Sequence, residues 1–407
     1  MNVDFMRAVD RWFGVPLTFL LTVARRLRGL FSKKSLVPPR RILFVELSEM
    51  GSTILADPAM KKARDRLAAE LFFVIFKKNR PSLELLGTIG AGHIFTIREN
   101  NLLLLALDTL RFLSWARKQK IDTVIDLELF SRFTALLCGL CGAVNRVGFY
   151  SFYNEGLYRG ELLTHRVAYN PHIHIAKNFI ALINSLLAKE PELPYSKEIV
   201  TDAEVELPII AFHETELANM HELVRRHYPA YVRGQQRLVL INPNASELLP
   251  QRRWQPQRYV ELMRRILAAA PEVLVLITGA PSEHDEAAAM RDQVGSERCL
   301  NFAGDLRLGQ LPVLYTISTL LVTNDSGPGH FSSITSLPTF VLFGPETPKL
   351  YGSLGNSTPI YAGLACSPCV SAANHRKTPC RDNKCLQAIS VDQVFTAIRP
   401  TLLPEKL

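Results

Sequence analysis

The sequence predicts an α/β protein made of two doubly wound domains that face a central cleft. After residue 40, short runs of β-branched and aromatic residues alternate with helical segments; the alternation stops at the proline-broken stretch 189–194 and restarts near residue 238. Short apolar strands that alternate with helices form βαβ units, and hence a parallel sheet buried on both faces. Two such series predict two such sheets, with ligands bound beyond the carboxyl ends of their strands.

The composition is that of an ordinary globular protein with an anionic partner. Hydrophobic residues make up 47% and charged residues 21% of the 407 positions, which excludes disordered, collagen-like and coiled-coil chains. The 47 basic residues outnumber the 38 acidic ones, giving a net charge of +9. A basic balance suits a phosphorylated ligand, an acidic membrane surface or a nucleic acid. Because the excess lies near the N-terminus and no nucleic-acid motif is evident, no nucleic-acid partner is expected.

The element boundaries follow from the alternation. The strand candidates of the first series are 41–46, 71–76, 94–97 and 122–127, and helical segments lie near 53–69, 81–88, 101–119, 130–142 and 174–188. The strand candidates of the second series are 238–242, 273–278, 319–323 and 339–343. We predict an N-terminal segment 1–38, an N-terminal Rossmann-like domain 39–205 and a C-terminal Rossmann-like domain 206–407.

The N-terminal segment has the pattern of a membrane-associating amphipathic helix. Residues 12–24 carry no charge, but 13 residues are too few to cross a bilayer, which takes about 20. From Arg25 to Arg41 there are seven basic residues and no acidic one. We expect an in-plane helix on the cytoplasmic leaflet, attracted to anionic lipid at about 1 kcal/mol per basic residue. The alternative is a helix packed on the protein's own body.

The stretch most typical of a ligand site is 324–330 (NDSGPGH), between a strand and a helix. Its small residues let a phosphate approach backbone N–H groups, and a helix start adds partial positive charge. Asp325 is expected to orient the loop or to bond a sugar hydroxyl. The alternative is an ordinary strand-to-helix turn capped by Asp or Ser.

Two further strand ends carry polar residues. Small polar residues follow strand 238–242, and Arg252 and Arg253 come just before a helix. Arginine pairs bidentately with phosphate oxygens and can stabilise a leaving diphosphate. Glu283 follows strand 273–278, where its carboxylate could accept two ribose hydroxyls or simply cap a helix.

Together these stretches resemble glycosyltransferase family 9, the ADP-heptose:lipopolysaccharide heptosyltransferases. The resemblance runs from about Arg41 to Ile398 and is most specific in the 324–330 run and the Gly-Pro turn that follows at 344–345. The family's basic-x-Trp element matches 252–254, and its Gly-x-x-x-Glu element matches 279–283. The resemblance implies a GT-B fold and an inverting transfer that needs no cofactor.

The resemblance also implies the substrates. The donor is a nucleotide diphosphosugar, with ADP-heptose expected, and the acceptor is lipopolysaccharide core or another lipid-linked glycan. The enzyme is then cytoplasmic and peripheral on the inner face of the cytoplasmic membrane. Ser326, Gly327 and His330 would contact the diphosphate, with Ser246 and Arg252 opposite. Glu283 would hold the adenosine ribose and Asp325 would shape the pocket. Acceptor-binding candidates from segment 146–174 of the N-terminal domain are Arg159, His165, Tyr169 and His174.

One departure concerns the catalytic base. Ser52 occupies the position at which many family members have an aspartate base, and serine is a poor base at neutral pH. Glu49 in the same loop, or Glu128 after strand 122–127, could replace it. Two alternatives stay open: a nucleotide-sugar-binding scaffold without catalysis, and a nucleotide-sugar 2-epimerase.

Four of the seven cysteines lie within 20 residues. Their spacing suits a structural zinc or iron site, and some relatives in the resembled family are described as binding iron in this region. The alternatives are two disulfides or free buried thiols, and the odd cysteine count favours a reducing compartment. The predicted ligands are Cys366, Cys369, Cys380 and Cys385.

Overall fold

A computed structural model describes residues 3–31, 35–129, 131–153, 158–245, 249–372, 374 and 376–404. The chain divides into two compact units, Met1–Val205 and Glu206–Leu407. Each unit contains a six-stranded, wholly parallel sheet with helices between its strands. The predicted α/β class with two doubly wound sheets is confirmed.

The first unit begins with two helices and continues as a βα alternation. Its strands are β1 (Arg41–Val45), β2 (Glu70–Phe76), β3 (Ile94–Ile97), β4 (Thr123–Asp126), β5 (Asn145–Tyr150) and β6 (His165–Ala168). Its α-helices are α1 (Val3–Trp12), α2 (Gly14–Phe31), α3 (Met50–Leu67), α4 (Arg80–Leu86), α5 (Leu102–Lys118), α6 (Arg132–Leu140) and α7 (Ile175–Leu187). The strand order is β3-β2-β1-β4-β5-β6, so the chain winds outward from β1 in both directions.

The second unit repeats the plan with the order β12-β11-β10-β7-β8-β9. Its strands are β7 (Arg237–Asn242), β8 (Val273–Ile277), β9 (Cys299–Asn301), β10 (Leu320–Asn324), β11 (Thr339–Phe343) and β12 (Ser357–Tyr361). Its α-helices are α8 (Glu214–His227), α9 (Pro256–Ala269), α10 (His284–Val294), α11 (Leu311–Thr316), α12 (Gly327–Ser332), α13 (Pro348–Tyr351), α14 (Lys384–Gln387) and α15 (Val391–Leu402).

The central strands are buried along their length, because helices cover both faces of a doubly wound sheet. Residues 42–45 of β1 and 273–277 of β8 are completely inaccessible to solvent. All eight predicted strands are present, and four more complete the sheets. The four that were missed are short or polar: β9 has three residues, and the edge strand β12 contains Pro359.

α2 docks onto the first unit through small and hydroxyl-bearing residues. Thr18 and Thr22 are buried, and their hydroxyls donate to the carbonyls of Gly14 and Thr18, each at 2.7 Å. A Cβ on Gly139 of α6 would lie 2.8 Å from Leu21 Cδ2. One face of α2 therefore packs on the protein's own body, which was the alternative expectation.

α1 completes the first turn of α6. Oδ1 of Asp10 accepts from the backbone N–H groups of Arg132 at 3.0 Å and Phe133 at 2.8 Å, and Oδ2 pairs with the Arg132 guanidinium at 3.2 Å. These N–H groups have no acceptor within their own helix, so Asp10 acts as a cap supplied from elsewhere in the chain. Within the described ranges, no helix combines the length and the apolar character needed to span a membrane.

We expect Gly160→Ala to destabilise the first unit by about 2–4 kcal/mol. Gly160 has φ +75°, and a Cβ there would lie 2.7 Å from Thr22 Oγ1 and 2.8 Å from the Thr18 carbonyl oxygen. Urea unfolding of the wild type and the variant measures the loss. Gly87→Ala is the matched control: its φ is +63°, but no described heavy atom lies within 4 Å, so strain alone should cost about 1 kcal/mol. Equal losses in the two variants would contradict the close contact of Gly160 with α2.

Candidate functional site

Three glutamates of the first unit meet just beyond the ends of β1 and β4, which are neighbouring strands. Oε1 of Glu128 accepts from the backbone N–H groups of Leu47 at 3.0 Å and Ser48 at 3.1 Å, and from Ser48 Oγ at 2.9 Å. The Glu49 N–H donates to Glu46 Oε1 at 3.3 Å. We call Glu46, Glu49 and Glu128 the carboxyl cluster.

The carboxyl cluster brings three acids together, of which Glu46 is buried and Glu49 and Glu128 are partly exposed. Glu46 is only 3% exposed, and this burial, followed by the charges of Glu128 and Glu49, raises its pKa well above the usual range. Glu46 therefore holds a proton at pH values where an exposed glutamate is ionised. Glu49 is partly exposed, and its Oε2 accepts from Ser52 Oγ at 2.8 Å.

The structure thus brings the two predicted bases, Glu49 and Glu128, into one group. Sequence reasoning missed Glu46, because it was counted as the last residue of a strand. The signal was present: an acidic residue directly after a buried apolar run sits at the carboxyl end of a parallel strand. Ser52, which the resemblance places at the position of the family's aspartate, donates to Glu49.

A buried ion pair supports this edge of the sheet. Asp126, at the end of β4, is fully buried, and burial raises its pKa to about 6, although the charge of Arg159 lowers it. The Arg159 guanidinium is within hydrogen-bonding distance of Asp126 and also donates to the carbonyls of Ser131 at 2.9 Å and Phe149 at 3.4 Å. Arg159 is thus buried and protein groups occupy its guanidinium, and its predicted contact with acceptor stays a prediction.

The remaining acceptor candidates lie at different levels of the sheet. His165 begins β6, so it sits at the edge opposite the carboxyl cluster; burial and the charge of Arg146 lower its pKa to about 4. Its ring packs on Tyr195, with centroids 4.9 Å apart, so His165 has the surroundings of a neutral core residue, and its predicted contact with acceptor stays a prediction. Tyr169 follows β6 at the carboxyl edge, with its ring edge-on to Phe149. His174 caps α7 by accepting from the Ala176 N–H at 3.2 Å.

In the second unit, Asn324 connects the predicted motifs. Its Oδ1 accepts from the backbone N–H of Trp254 at 3.1 Å and from the Tyr259 hydroxyl at 3.0 Å, while its Nδ2 donates to the Pro243 carbonyl at 2.7 Å. Asn324 ends β10, whose neighbour β7 ends at Asn242. The 243–245, 252–254 and 324–330 segments are therefore held together at the carboxyl ends of β7 and β10.

Arg252 lies in this group between two acids. Its Nη2 donates to Glu346 Oε1 at 2.9 Å, and its Nε lies 3.3 Å from Asp325 Oδ2. Glu346 is almost completely buried; burial raises its pKa to about 7, while the charges of Arg376 and Arg252 lower it. Glu346 was not predicted, although it directly follows the Gly-Pro turn that was singled out. An arginine held by such acids is fixed in orientation.

The residues of the 324–330 loop surround the start of α12. Ser326 is the residue before the helix, and its Oγ donates to the Asn324 carbonyl at 3.1 Å. A Cβ on Gly327 would lie 3.1 Å from the Phe331 ring, so space is limited there. His330 is buried within α12. Asp325 is buried beside Arg252, and Ser246 lies outside the described residues.

Glu283 has the contacts of a capping residue. Its Oε2 accepts from the Ala280 N–H at 2.6 Å, and a Cβ on Gly279 would lie 2.8 Å from the same oxygen. The carboxylate therefore folds back over the turn after β8. This is the capping alternative, and the predicted contact with ribose stays a prediction.

The four clustered cysteines are free thiols in different surroundings. Cys366 is exposed and Cys385 is buried. Cys380 Sγ donates to the Asp382 carbonyl at 3.1 Å, and Thr378 Oγ1 donates to Cys369 Sγ at 3.4 Å. Among the residues that the structure describes, no three His, Cys, Asp or Glu side chains form a group that could hold a metal ion. The arrangement does not fit the zinc or iron site that the spacing suggested, and the disulfide alternative is not seen.

The chain is similar in sequence and in fold to known heptosyltransferases. The chain is 29% identical to lipopolysaccharide heptosyltransferase 2 of Salmonella typhimurium over 106 residues, which is 25% of this chain and 30% of the relative. The chain thus spans less than a third of that relative's length. The structure of E. coli ADP-heptose lipopolysaccharide heptosyltransferase II matches with a TM-score of 0.67 at 18% identity, over 90% of this chain and 100% of that one.

A second solved structure, E. coli heptosyltransferase WaaC with ADP, matches with a TM-score of 0.63 at 13% identity, over 89% of this chain and 99% of that one. At such identities the likeness concerns the fold alone. The family assignment rests on the model of Glycosyltransferase family 9 (heptosyltransferase), which matches residues 110–379. Since this range covers more than half of the 407 residues, the chain belongs to glycosyltransferase family 9, the heptosyltransferase family.

Proposed function

We propose that this protein is an inverting glycosyltransferase that transfers heptose from ADP-heptose to a lipopolysaccharide-core or other lipid-linked glycan acceptor. The observation that carries the proposal is the carboxyl cluster, because it supplies the base that Ser52 cannot. A scaffold without catalysis has no need of three converging carboxyl groups, one of which, Glu46, is buried with a raised pKa. The ADP in the similar E. coli WaaC structure supports an adenosine diphosphate donor.

In the proposed reaction, the acceptor hydroxyl attacks the anomeric carbon of the donor from the face opposite the diphosphate. A bond forms between the acceptor oxygen and the anomeric carbon, and the bond from that carbon to the diphosphate oxygen breaks with its electron pair going to ADP. A carboxylate takes the acceptor's proton. Arg252 and the backbone N–H groups of Ser326 and Gly327 stabilise the growing charge on ADP. The resemblance implies that no metal ion is required, and the positive charge comes from Arg252.

Within the carboxyl cluster we assign the base role to Glu49. Glu128 accepts three hydrogen bonds from residues 47 and 48 and so serves to shape the loop. Glu46 is buried and holds its proton, which leaves it unsuited to accept another. Glu49 is partly exposed and lies directly before α3, where an acceptor hydroxyl can approach it.

The proposal also includes a peripheral position on the inner face of the cytoplasmic membrane. The outer face of α2 carries large apolar side chains, whereas an ordinary surface helix has polar side chains on its outer face. Within α2, Phe19 is 56% exposed and Leu20 is 61% exposed, whereas Thr18 and Thr22 face inward; Trp12 and Phe13, which come just before α2, are also exposed. Aromatic residues of this kind concentrate at the level of lipid headgroups. The exposed Arg28 supports an anionic leaflet as the partner.

Glu49→Gln is expected to lower kcat by about 10²–10⁴, because the amide cannot take the acceptor's proton. Steady-state transfer from ADP-heptose to a lipopolysaccharide-core acceptor measures kcat, and melting with and without ADP shows that folding and donor binding persist. Glu128→Gln should lower kcat and melting temperature together, since it weakens the 47–48 loop. Glu84→Gln, a surface change in α4, is the control. Wild-type kcat in Glu49→Gln would remove Glu49 as the base, and transfer by none of the proteins would favour the scaffold.

Arg252→Lys is expected to weaken ADP binding about tenfold or more, because lysine keeps the charge but loses the planar fork that pairs with two oxygens. The melting-temperature rise on adding ADP measures this; ligand at about 100 times its Kd stabilises by about 2.7 kcal/mol. Arg253→Lys is the control, because Arg253 donates to the Ala245 carbonyl, whereas Arg252 contacts Glu346 and Asp325. An unchanged ADP response in Arg252→Lys would contradict the assignment.

Donor binding should also depend on the ionisation of Glu346. Below its pKa of about 7 this carboxyl is protonated, and above it the carboxylate attracts Arg252 in competition with the diphosphate. The ratio of the ADP Kd of the wild type to that of Glu346→Gln should therefore rise between pH 6 and 8. Taking the ratio cancels the titration of ADP itself. A ratio that stays constant across this range would show that Glu346 does not compete.

A further inference from the structure

α5 exposes a row of leucines that the proposed transfer does not use. Leu103 is 83% exposed and Leu110 is 66% exposed, and Leu102 and Leu107 are also exposed. At 3.6 residues per turn these positions form one stripe along the first half of the helix. The opposite face buries Phe112 and Ala116 in the core. The exposed leucines are therefore not the side of α5 that packs on the core.

α5 lies on the same side of the first sheet as α1 and α2. Arg117, in its last turn, donates to the Leu140 carbonyl at the end of α6 at 2.6 Å. Arg25 of α2 donates to the neighbouring Gly139 carbonyl. Met6 of α1 packs on the same core cluster as Leu105 of α5. The exposed faces of α2 and α5 thus belong to one layer of helices that is joined through α6.

The charges of this layer suit an anionic surface. α2 contains no acidic residue, and the one acid of α5, Asp108, is buried and paired with Arg98 at 2.7 Å. Both helices end in basic residues, among them the exposed Arg28 and Lys118. Because Arg117 of α5 and Arg25 of α2 both donate to carbonyls at the end of α6, the basic C-terminal parts of the two helices lie near each other. Exposed apolar stripes without acids and with basic ends are typical of helices that lie in a membrane interface.

We propose that the exposed leucines of α5 and the outer face of α2 form one membrane-binding surface, whose occupant is an anionic lipid bilayer. The inference rests on the proposed membrane location and goes beyond it: the sheet-bearing body of the first unit lies on the lipid, rather than being tethered by the N-terminal helices alone. Two separate apolar stripes fix the orientation of the unit on the bilayer, whereas a single helix leaves it free to rotate.

Flotation of the full chain with vesicles of phosphatidylcholine and phosphatidylglycerol, 7:3, tests the proposal. Leu103→Glu/Leu110→Glu should lower the vesicle partition coefficient at least about tenfold, since two leucines no longer enter the lipid. Ile199→Glu/Ile209→Glu is the matched control: both isoleucines are exposed, neither is in α2 or α5, and the charge change is the same. The control should bind as the wild type does. Unchanged ADP-induced stabilisation would show that the α5 variant is folded.

The outcomes separate the two levels of the proposal. If the α5 variant binds like the wild type while Phe19→Glu/Leu20→Glu in α2 does not, α2 is the whole anchor and the inference on α5 is overturned. If the wild type itself fails to float, the proposed membrane location fails as well. If the wild type is a dimer without lipid and the α5 variant a monomer by sedimentation, the leucines cover a second copy of the chain, and the lipid assignment is overturned.

Discussion

The wholly parallel arrangement of both sheets is the constraint on which the rest of the molecule depends. A parallel strand must be followed by a crossover, so helices cover both faces and the strands become continuous apolar runs, as residues 42–45 and 273–277 are. Every strand of a sheet then ends at the same edge. Polar groups that the strands cannot hold collect there: the carboxyl cluster in the first unit, and Asn324 with Arg252 in the second.

Burying these groups has a free-energy cost that the protein meets by pairing. An isolated buried carboxylate is strongly disfavoured, so it is either neutralised by a proton or paired with a cation. Glu46 follows the first route and Asp126 the second, through Arg159. Arg252, held by Asp325 and Glu346, is the reverse case, in which two acids orient one cation. Such groups are prepared before any ligand arrives, which lowers the reorganisation needed during a reaction.

The sheets could be predicted from the sequence because short runs of β-branched and aromatic residues that alternate with helical segments are typical of a parallel sheet. The strands that escaped prediction are those whose residues alternate poorly or are few, such as β6 and β9. Side-chain roles were harder to predict. The sequence does not distinguish an arginine that contacts a ligand from one that, like Arg159, forms a buried ion pair with Asp126. Glu46 was overlooked although its place after an apolar run was visible in the sequence; the burial that raises the pKa of Glu46 and of Glu346 arises only in the packed chain.

The contacts of α1 and α2 change how the first forty residues are understood. Asp10 supplies the acceptors for the first N–H groups of α6, and Gly139 and Gly160 have no side chain because α2 packs against them. Deleting residues 1–36 would remove this cap and expose the surface against which α2 packs. The segment is therefore a structural layer of the domain as well as an outward-facing surface. Removing it to improve solubility would destabilise the domain itself.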